Sequence, residues 1–179
     1  MEEETIEEKK ARGLIDLRGY TLVKKEKQEG ITRYIYEVPE GKKGVIFAIH
    51  RKIVGVSSIK KLLAFMEGKG IEKGIIVAEK KYSAAIKKEA KAQGIELIPG
   101  RLPPSNIFKH ELVPNHEILT PKEVEELLQK YRINLSQLPR IKVSDVAVIA
   151  IGGKSGDIIK ITRRSPTAGE HVAYRLVVP

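Results

Sequence analysis

This 179-residue chain has no cysteine, which excludes disulfides and thiolate-held metals. No apolar run approaches the ~18 residues of a membrane-spanning helix, so no membrane partner is expected. A basic leader is missing too: the chain starts Met1-Glu2-Glu3-Glu4, acidic where a secretory signal is cationic, and the reading is a cytoplasmic protein. The four histidines, His50, His110, His116 and His171, show neither HxxxH nor HExxH spacing, so neither a metal site nor a cofactor is expected. Gly153-Lys154-Ser155 copies the end of a phosphate-binding P-loop. The glycine that should open the motif is Val148, however, and a strand pattern follows instead of a helix, so the cradle of N–H groups is missing.

Positive charge is in excess, and it is unevenly placed. The net charge is +10. Residues 1–30 carry 7 Lys+Arg against 8 Asp+Glu, and residues 110–179 carry 10 against 8, whereas residues 31–109 carry 16 against 7. Such a concentration is the footprint of a surface facing phosphates; a lysine-rich solvated surface is the other reading of the same counts. A hydrophobic content of 41% suffices for packed cores, and the length allows one domain or two small ones.

Along the chain, Glu2–Arg18 runs from acidic to basic with Ile6, Ala11, Leu14, Ile15 and Leu17 on an apolar side, which predicts a helix stopped by Gly19. Tyr20–Lys24 and Tyr34–Val38 alternate like strands around a Gln28-Glu29-Gly30 turn. Gly44–His50 is a nearly continuous apolar run suited to a central strand. Ser57-Ser58 is read as the cap of a helix over Ser58–Gly68, followed by a buried strand at Gly74–Ala78, a helix over Ser83–Gln93 capped by Ser83, and a strand at Ile95–Ile98. Pro99, Pro103 and Pro104 then mark residues 99–106 as a stiff linker between domains at 1–98 and 107–179. Beyond it the pattern predicts a strand over Ile107–Val113 and a helix over Pro121–Tyr131, with Thr120 and Glu123 as a capping box. An extended piece at Arg140–Lys142 and a short helix from Ser144-Asp145 through Ala150 follow. A hairpin with arms Asp157–Thr162 and His171–Val178 closes the pattern.

The hairpin tip holds Arg163-Arg164-Ser165-Pro166-Thr167, and its residues alone leave open whether it meets a phosphate, a partner's carboxylate or water. Taken with His110-Glu111-Leu112-Val113-Pro114, Gln137-Leu138-Pro139-Arg140-Ile141 and Ser144-Asp145, the hairpin resembles a small subunit of archaeal DNA-directed RNA polymerase. That family corresponds to the C-terminal domain of the fifth subunit of eukaryotic nuclear polymerases, and the resemblance covers His110–Val178. It implies a non-catalytic subunit of a nucleotidyltransferase complex in transcription, docked on the C-terminal part of the largest subunit. The docking candidates it implies are His110, Glu111, Pro114, Arg140, Arg163, Ser165, Pro166 and Thr167. Members of the archaeal family usually consist of this domain alone, whereas here residues 1–109 precede it.

The order helix, three strands, helix, strand, helix, strand, with GIIVAEKKYSAAIKKEAKAQGIELI in its second half, resembles restriction-endonuclease-type cores, a kind of domain the eukaryotic subunit also carries. The expected architecture is therefore an α/β N-terminal domain with a restriction-endonuclease-like layered core and mixed sheet, plus a small α+β C-terminal domain whose mixed sheet has helices on one side. Nucleases of that fold place an acidic residue and then Asp/Glu-x-Lys on adjacent strands to hold a divalent cation and steady the attacking water. Val45–Lys52 has no carboxylate, and Glu40-Gly41-Lys42 sits in a Pro-Gly turn, so no catalytic residues are expected. The candidates for sequence-independent backbone contacts with downstream duplex DNA are Lys80, Lys81, Ser83 and Lys87 at a helix N-terminus, with Arg51 and Lys52 as a second basic group. The rival readings are a free-standing DNA-binding transcription factor with a polymerase-docking domain and an active nuclease.

Overall fold

A computed structural model describes residues 4–28, 30–39, 41–50, 54–79, 82–165 and 169–179. The chain divides into two compact units, residues 1–105 and 106–179. The first is built from α1 (Ile6–Leu17), β1 (Thr21–Gln28), β2 (Ile31–Glu37), β3 (Lys43–Ile49), α2 (Val56–Lys69), β4 (Lys73–Ala78), α3 (Ala84–Ala92) and β5 (Glu96–Ile98). Its sheet runs β1-β2-β3-β4-β5. The first two pairings are antiparallel and the last two parallel, because α2 and α3 supply the crossovers that parallel neighbours require. The apolar run Gly44–Ile49 becomes β3, buried along its length at the centre of the sheet.

Strand alternation divides that burial between two faces. Val45, Phe47 and Ile49 join Ile59 and Leu62 of α2 and Ile86 and Ala90 of α3 in one cluster. Ile46 and Ala48, equally buried, belong to the opposite face. Tyr82 is buried ahead of α3, its hydroxyl donating to the carbonyls of Ile76 and Ile98 at 2.9 and 2.8 Å, which ties β4 to β5.

Local signals placed these elements, with corrections at their ends. β1 extends through Lys24–Gln28, a charged stretch read as the end of a strand, because as an edge strand it keeps its side chains in water. α2 starts after Gly55 with no side-chain cap, so Ser57 and Ser58 lie inside the helix. α1 is capped by a Thr5/Glu8 box. The prolines at 99–104, read as a linker, belong largely to the first unit: Leu102 is buried, and Lys10 Nζ donates to the Gly100 carbonyl at 2.6 Å.

The second unit contains β6 (Asn115–Ile118), α4 (Pro121–Tyr131), β7 (Arg140–Lys142), α5 (Val146–Ile151), β8 (Ile158–Ser165) and β9 (Gly169–Val178). The order β6-β8-β9-β7 puts the hairpin in the middle of the sheet, with β7 parallel to β9. Two expectations fail here. The strand expected at Ile107–Val113 is a single 3-10 turn, Ile107–Lys109, followed by tight turns. Asn106 Oδ1 caps the Phe108 N–H at 2.9 Å, and the His110 carbonyl takes the Val113 N–H at 2.9 Å, so these groups are bonded locally. The helices also do not share a side. Ile158, Tyr174 and Leu176 pack with Leu127 of α4, whereas Ile159, Ile161 and Val177 pack with Val148 of α5; neighbouring strand residues face opposite ways, so α4 and α5 cover opposite faces. Among the described residues no helix is long and apolar enough to cross a membrane.

Candidate interaction surfaces

In the second unit, the turns at Phe108–Asn115 diverge from the outer end of β8 and leave an open groove of about 770 Å³. One wall is Phe108 to Asn115 and the other is Thr162, Arg163, Arg164 and Ser165, with Lys160, Glu117 and Glu170 on the lining. The turn wall is held from within. The Leu112 N–H donates to His110 Nδ1 at 3.2 Å, and His116 Nδ1 lies 2.8 Å from the Pro114 carbonyl oxygen. His110 and Pro114 thus shape the loop, while Leu112 projects from it 83% exposed.

Five of the docking candidates, His110, Glu111, Pro114, Arg163 and Ser165, line this one groove. Arg140 does not: it lies on β7, the edge strand farthest from β6, where its carbonyl accepts from Arg175. Pro166 and Thr167 lie outside the described residues. Sequence reasoning missed Leu112, Lys160 and Arg164 as lining residues. An exposed leucine flanked by polar residues and a proline was the signal for the first; the other two follow only from strand register. Lys160 pairs with Glu117 at 3.7 Å and Arg164 with Glu170 at 3.4 Å. No ion pair joins Lys109, Arg163 or Glu111 to a described residue.

The first unit contains a buried polar cluster that residue patterns did not reveal. Glu7, Glu8 and Thr32 are 7%, 3% and 0% exposed. The Thr32 hydroxyl donates to Glu8 Oε1 at 2.6 Å. His50 Nε2 lies 3.1 Å from Thr32 Oγ1, and Nδ1 lies 2.9 Å from Thr5 Oγ1 and 3.2 Å from Glu7 Oε2. Two carboxylates therefore do converge, contrary to the sequence reading, but both come from α1. The adjacent strands place Thr32 opposite Ala48, and Ala48-Ile49-His50 occupies the spacing of Asp/Glu-x-Lys with neither its acid nor its lysine. Every polar group of the cluster faces another group of the same chain, so the arrangement locks α1 to β2 and β3. Glu40 lies outside the described residues.

Burial works against ionisation of Glu8, but the Thr32 hydroxyl, the Thr5 N–H and the charges of Lys25 and His50 outweigh it and hold the carboxyl below its usual value. A depressed folded value means that the stabilisation is present above the unfolded carboxylate range and is lost as pH falls through the folded one. Glu8→Gln is therefore expected to destabilise the first unit at pH 7 and progressively less below about pH 4. Urea unfolding of both proteins between pH 3 and 7 measures this; a difference that is constant with pH contradicts it.

Of the DNA-contact candidates, Ser83 is the N-cap of α3, its hydroxyl accepting from the Ile86 N–H at 3.4 Å. Lys87 is exposed on that helix beside Lys88, as are Lys91 farther along it and Lys60 on α2. Lys80, Lys81, Arg51 and Lys52 lie outside the described residues.

Residues 105–177 match a family model described as RNA polymerase Rpb5, C-terminal domain, and residues 3–102 match one described as restriction endonuclease. The DNA-directed RNA polymerase subunit Rpo5 of Thermococcus kodakarensis is 64% identical over 73 residues, which cover 41% of this chain and 89% of that protein. The Rpo5 of Staphylothermus marinus is 58% identical over 73 residues, covering 41% and 80%. That of Methanocaldococcus jannaschii is 51% identical over 72 residues, covering 40% and 92%. A solved chain described as "Structure of EndoMS in apo form" aligns with a TM-score of 0.42 at 21% identity, over 54% of this chain and 47% of that one.

Proposed function

Because this chain belongs to the Rpo5 family of DNA-directed RNA polymerase subunits through residues 105–177 and to a restriction endonuclease family through residues 3–102, we propose that its two units divide two tasks, docking and duplex contact. It is a non-catalytic subunit of DNA-directed RNA polymerase and takes part in transcription. The groove between the 108–115 turns and β8 receives the C-terminal part of the largest subunit, in the cytoplasm. The observation that carries this reading is the convergence of His110, Glu111, Pro114, Arg163 and Ser165, together with exposed Leu112, on one concave surface. An exposed apolar anchor beside cations without partners is the kind of feature that dominates interface energetics.

The test is co-expression with the C-terminal portion of the largest subunit from the same organism, followed by size-exclusion chromatography. A one-to-one complex is expected. Leu112→Asp and Arg163→Glu should each weaken it by about tenfold or more; separate elution of the wild-type proteins contradicts the docking reading.

The first unit retains a layered nuclease-type core without strand-borne catalytic carboxylates, and in this reading it lies along downstream duplex DNA. Support comes from the charge of residues 31–109, 16 Lys+Arg against 7 Asp+Glu, and from exposed Lys60, Lys87, Lys88 and Lys91. Such contacts reach the phosphate backbone only, so affinity of the complete polymerase for duplex DNA should fall with salt and be indifferent to sequence. Lys87→Ala and Lys88→Ala should each lower the slope of log K against log salt by about 1. An unchanged slope in fluorescence-anisotropy titrations removes α3 from the DNA-facing surface.

A further inference from the structure

We propose that the outer edge of β8 beyond Thr162 is a strand-addition site, completed in the assembled polymerase by an extended acidic segment of another subunit. The inference rests on the docking reading above and specifies how the groove is filled. β6 pairs with β8 only from Ile159 to Thr162, while β8 itself continues to Ser165. The last three residues of β8 are therefore paired with β9 on one side and, among the described residues, have no neighbouring strand on the other.

The direction of the main-chain groups follows from alternation. The Leu119 N–H donates to the Ile158 carbonyl at 2.9 Å, whereas the Asp157 carbonyl takes the Val177 N–H at 2.9 Å. Even-numbered residues of β8 thus aim their N–H and C=O toward β6, and odd-numbered ones toward β9. Arg164 continues the even series. In the register that pairs Asn115 with Thr162, its partner would be Val113. But the Val113 N–H is committed to the His110 carbonyl, and Pro114 has no N–H to give. The donor and acceptor of Arg164 face the groove, the arrangement by which exposed sheet edges capture extended peptides.

The groove also selects the occupant's chemistry. Two cations, Lys109 and Arg163, have no ion-pair partner among the described residues, against one such carboxylate, Glu111; the other charges pair internally. Leu112 at 83% exposure supplies the apolar contact. An extended segment carrying a carboxylate and an apolar side chain complements this surface, and it gains main-chain bonds that depend on no particular sequence.

The test follows the Arg164 amide by site-resolved hydrogen exchange in the full chain, free and bound to the C-terminal portion of the largest subunit. Strand addition is expected to slow its exchange at least tenfold on binding. Arg164→Pro removes the N–H on the side facing away from β9, a position where sheet edges tolerate proline, and should weaken the complex at least tenfold. Arg164→Ala should stay within twofold, since the side chain pairs only with Glu170 and is 87% exposed. A formed complex with unchanged Arg164 exchange, or equal effects of the two variants, overturns strand addition and leaves groove docking standing. Absence of any complex overturns both.

Discussion

Glu96→Ala is expected to destabilise the first unit by about 3 kcal/mol, because it strands a buried guanidinium. Arg18, at the end of α1, donates to both oxygens of Glu96 on β5, at 2.8 and 2.6 Å. Its side chain is 4% exposed, while that of Glu96 is 39% exposed. Burial opposes the Arg18 charge, but the hydrogen bonds and charge of Glu96, with Tyr20 contributing, outweigh it and raise its pKa. The asymmetry in exposure predicts an order of effects. Losing Glu96 leaves the buried cation uncompensated, whereas Arg18→Met leaves a carboxylate that water can reach. Replacing both by apolar residues should recover most of the loss. Urea unfolding of the three variants checks the order, and a Glu96→Ala protein as stable as Arg18→Met contradicts it.

Gly44→Ala should cost a comparable amount, about 3 kcal/mol, by overpacking. Gly44 pairs directly with Tyr36 across β2 and β3, and a Cβ built on it falls on the Cζ and Oη of the Tyr36 ring. That ring has nowhere to retreat: it is 0% exposed and stacked on Tyr20 at 4.5 Å with planes 4° apart. The missing side chain is what lets the aromatic ring lie across the neighbouring strand. A double-mutant cycle isolates the mechanism. In a Tyr36→Ala background Gly44→Ala should cost almost nothing further, and additive losses in urea unfolding would show that the ring is not the obstacle.

These two sites mark where residue patterns stop being informative. The Gly44–Ile49 run announced a central strand because a strand covered on both faces is apolar throughout. Thr120 and Glu123 announced the start of α4 because a capping box is complete within four residues; it closes in the structure, with Glu123 accepting from the Thr120 N–H at 2.7 Å. The His110–Pro114 motif and Arg163 were legible as docking residues through resemblance, but their meeting in one groove was not, since 53 positions separate His110 from Arg163. Arg140 illustrates the converse. Its motif read like the others, yet β7 carries it to the opposite edge of the sheet.

By itself the sequence determined what local chemistry can determine: the apolar central strand, the capped helices, the hairpin, the charge of residues 31–109 and the family motifs. Each is set by residues a few positions apart, through periodicity, capping or turn propensity. Only the tertiary structure decided which distant groups meet. It brought Glu8 to Thr32 and His50, Arg18 to Glu96, and the 108–115 turns to the open edge of β8. It also set α4 and α5 on opposite faces. Those outcomes depend on strand register and on the need to pair every buried charge and main-chain group, which no short window of residues encodes.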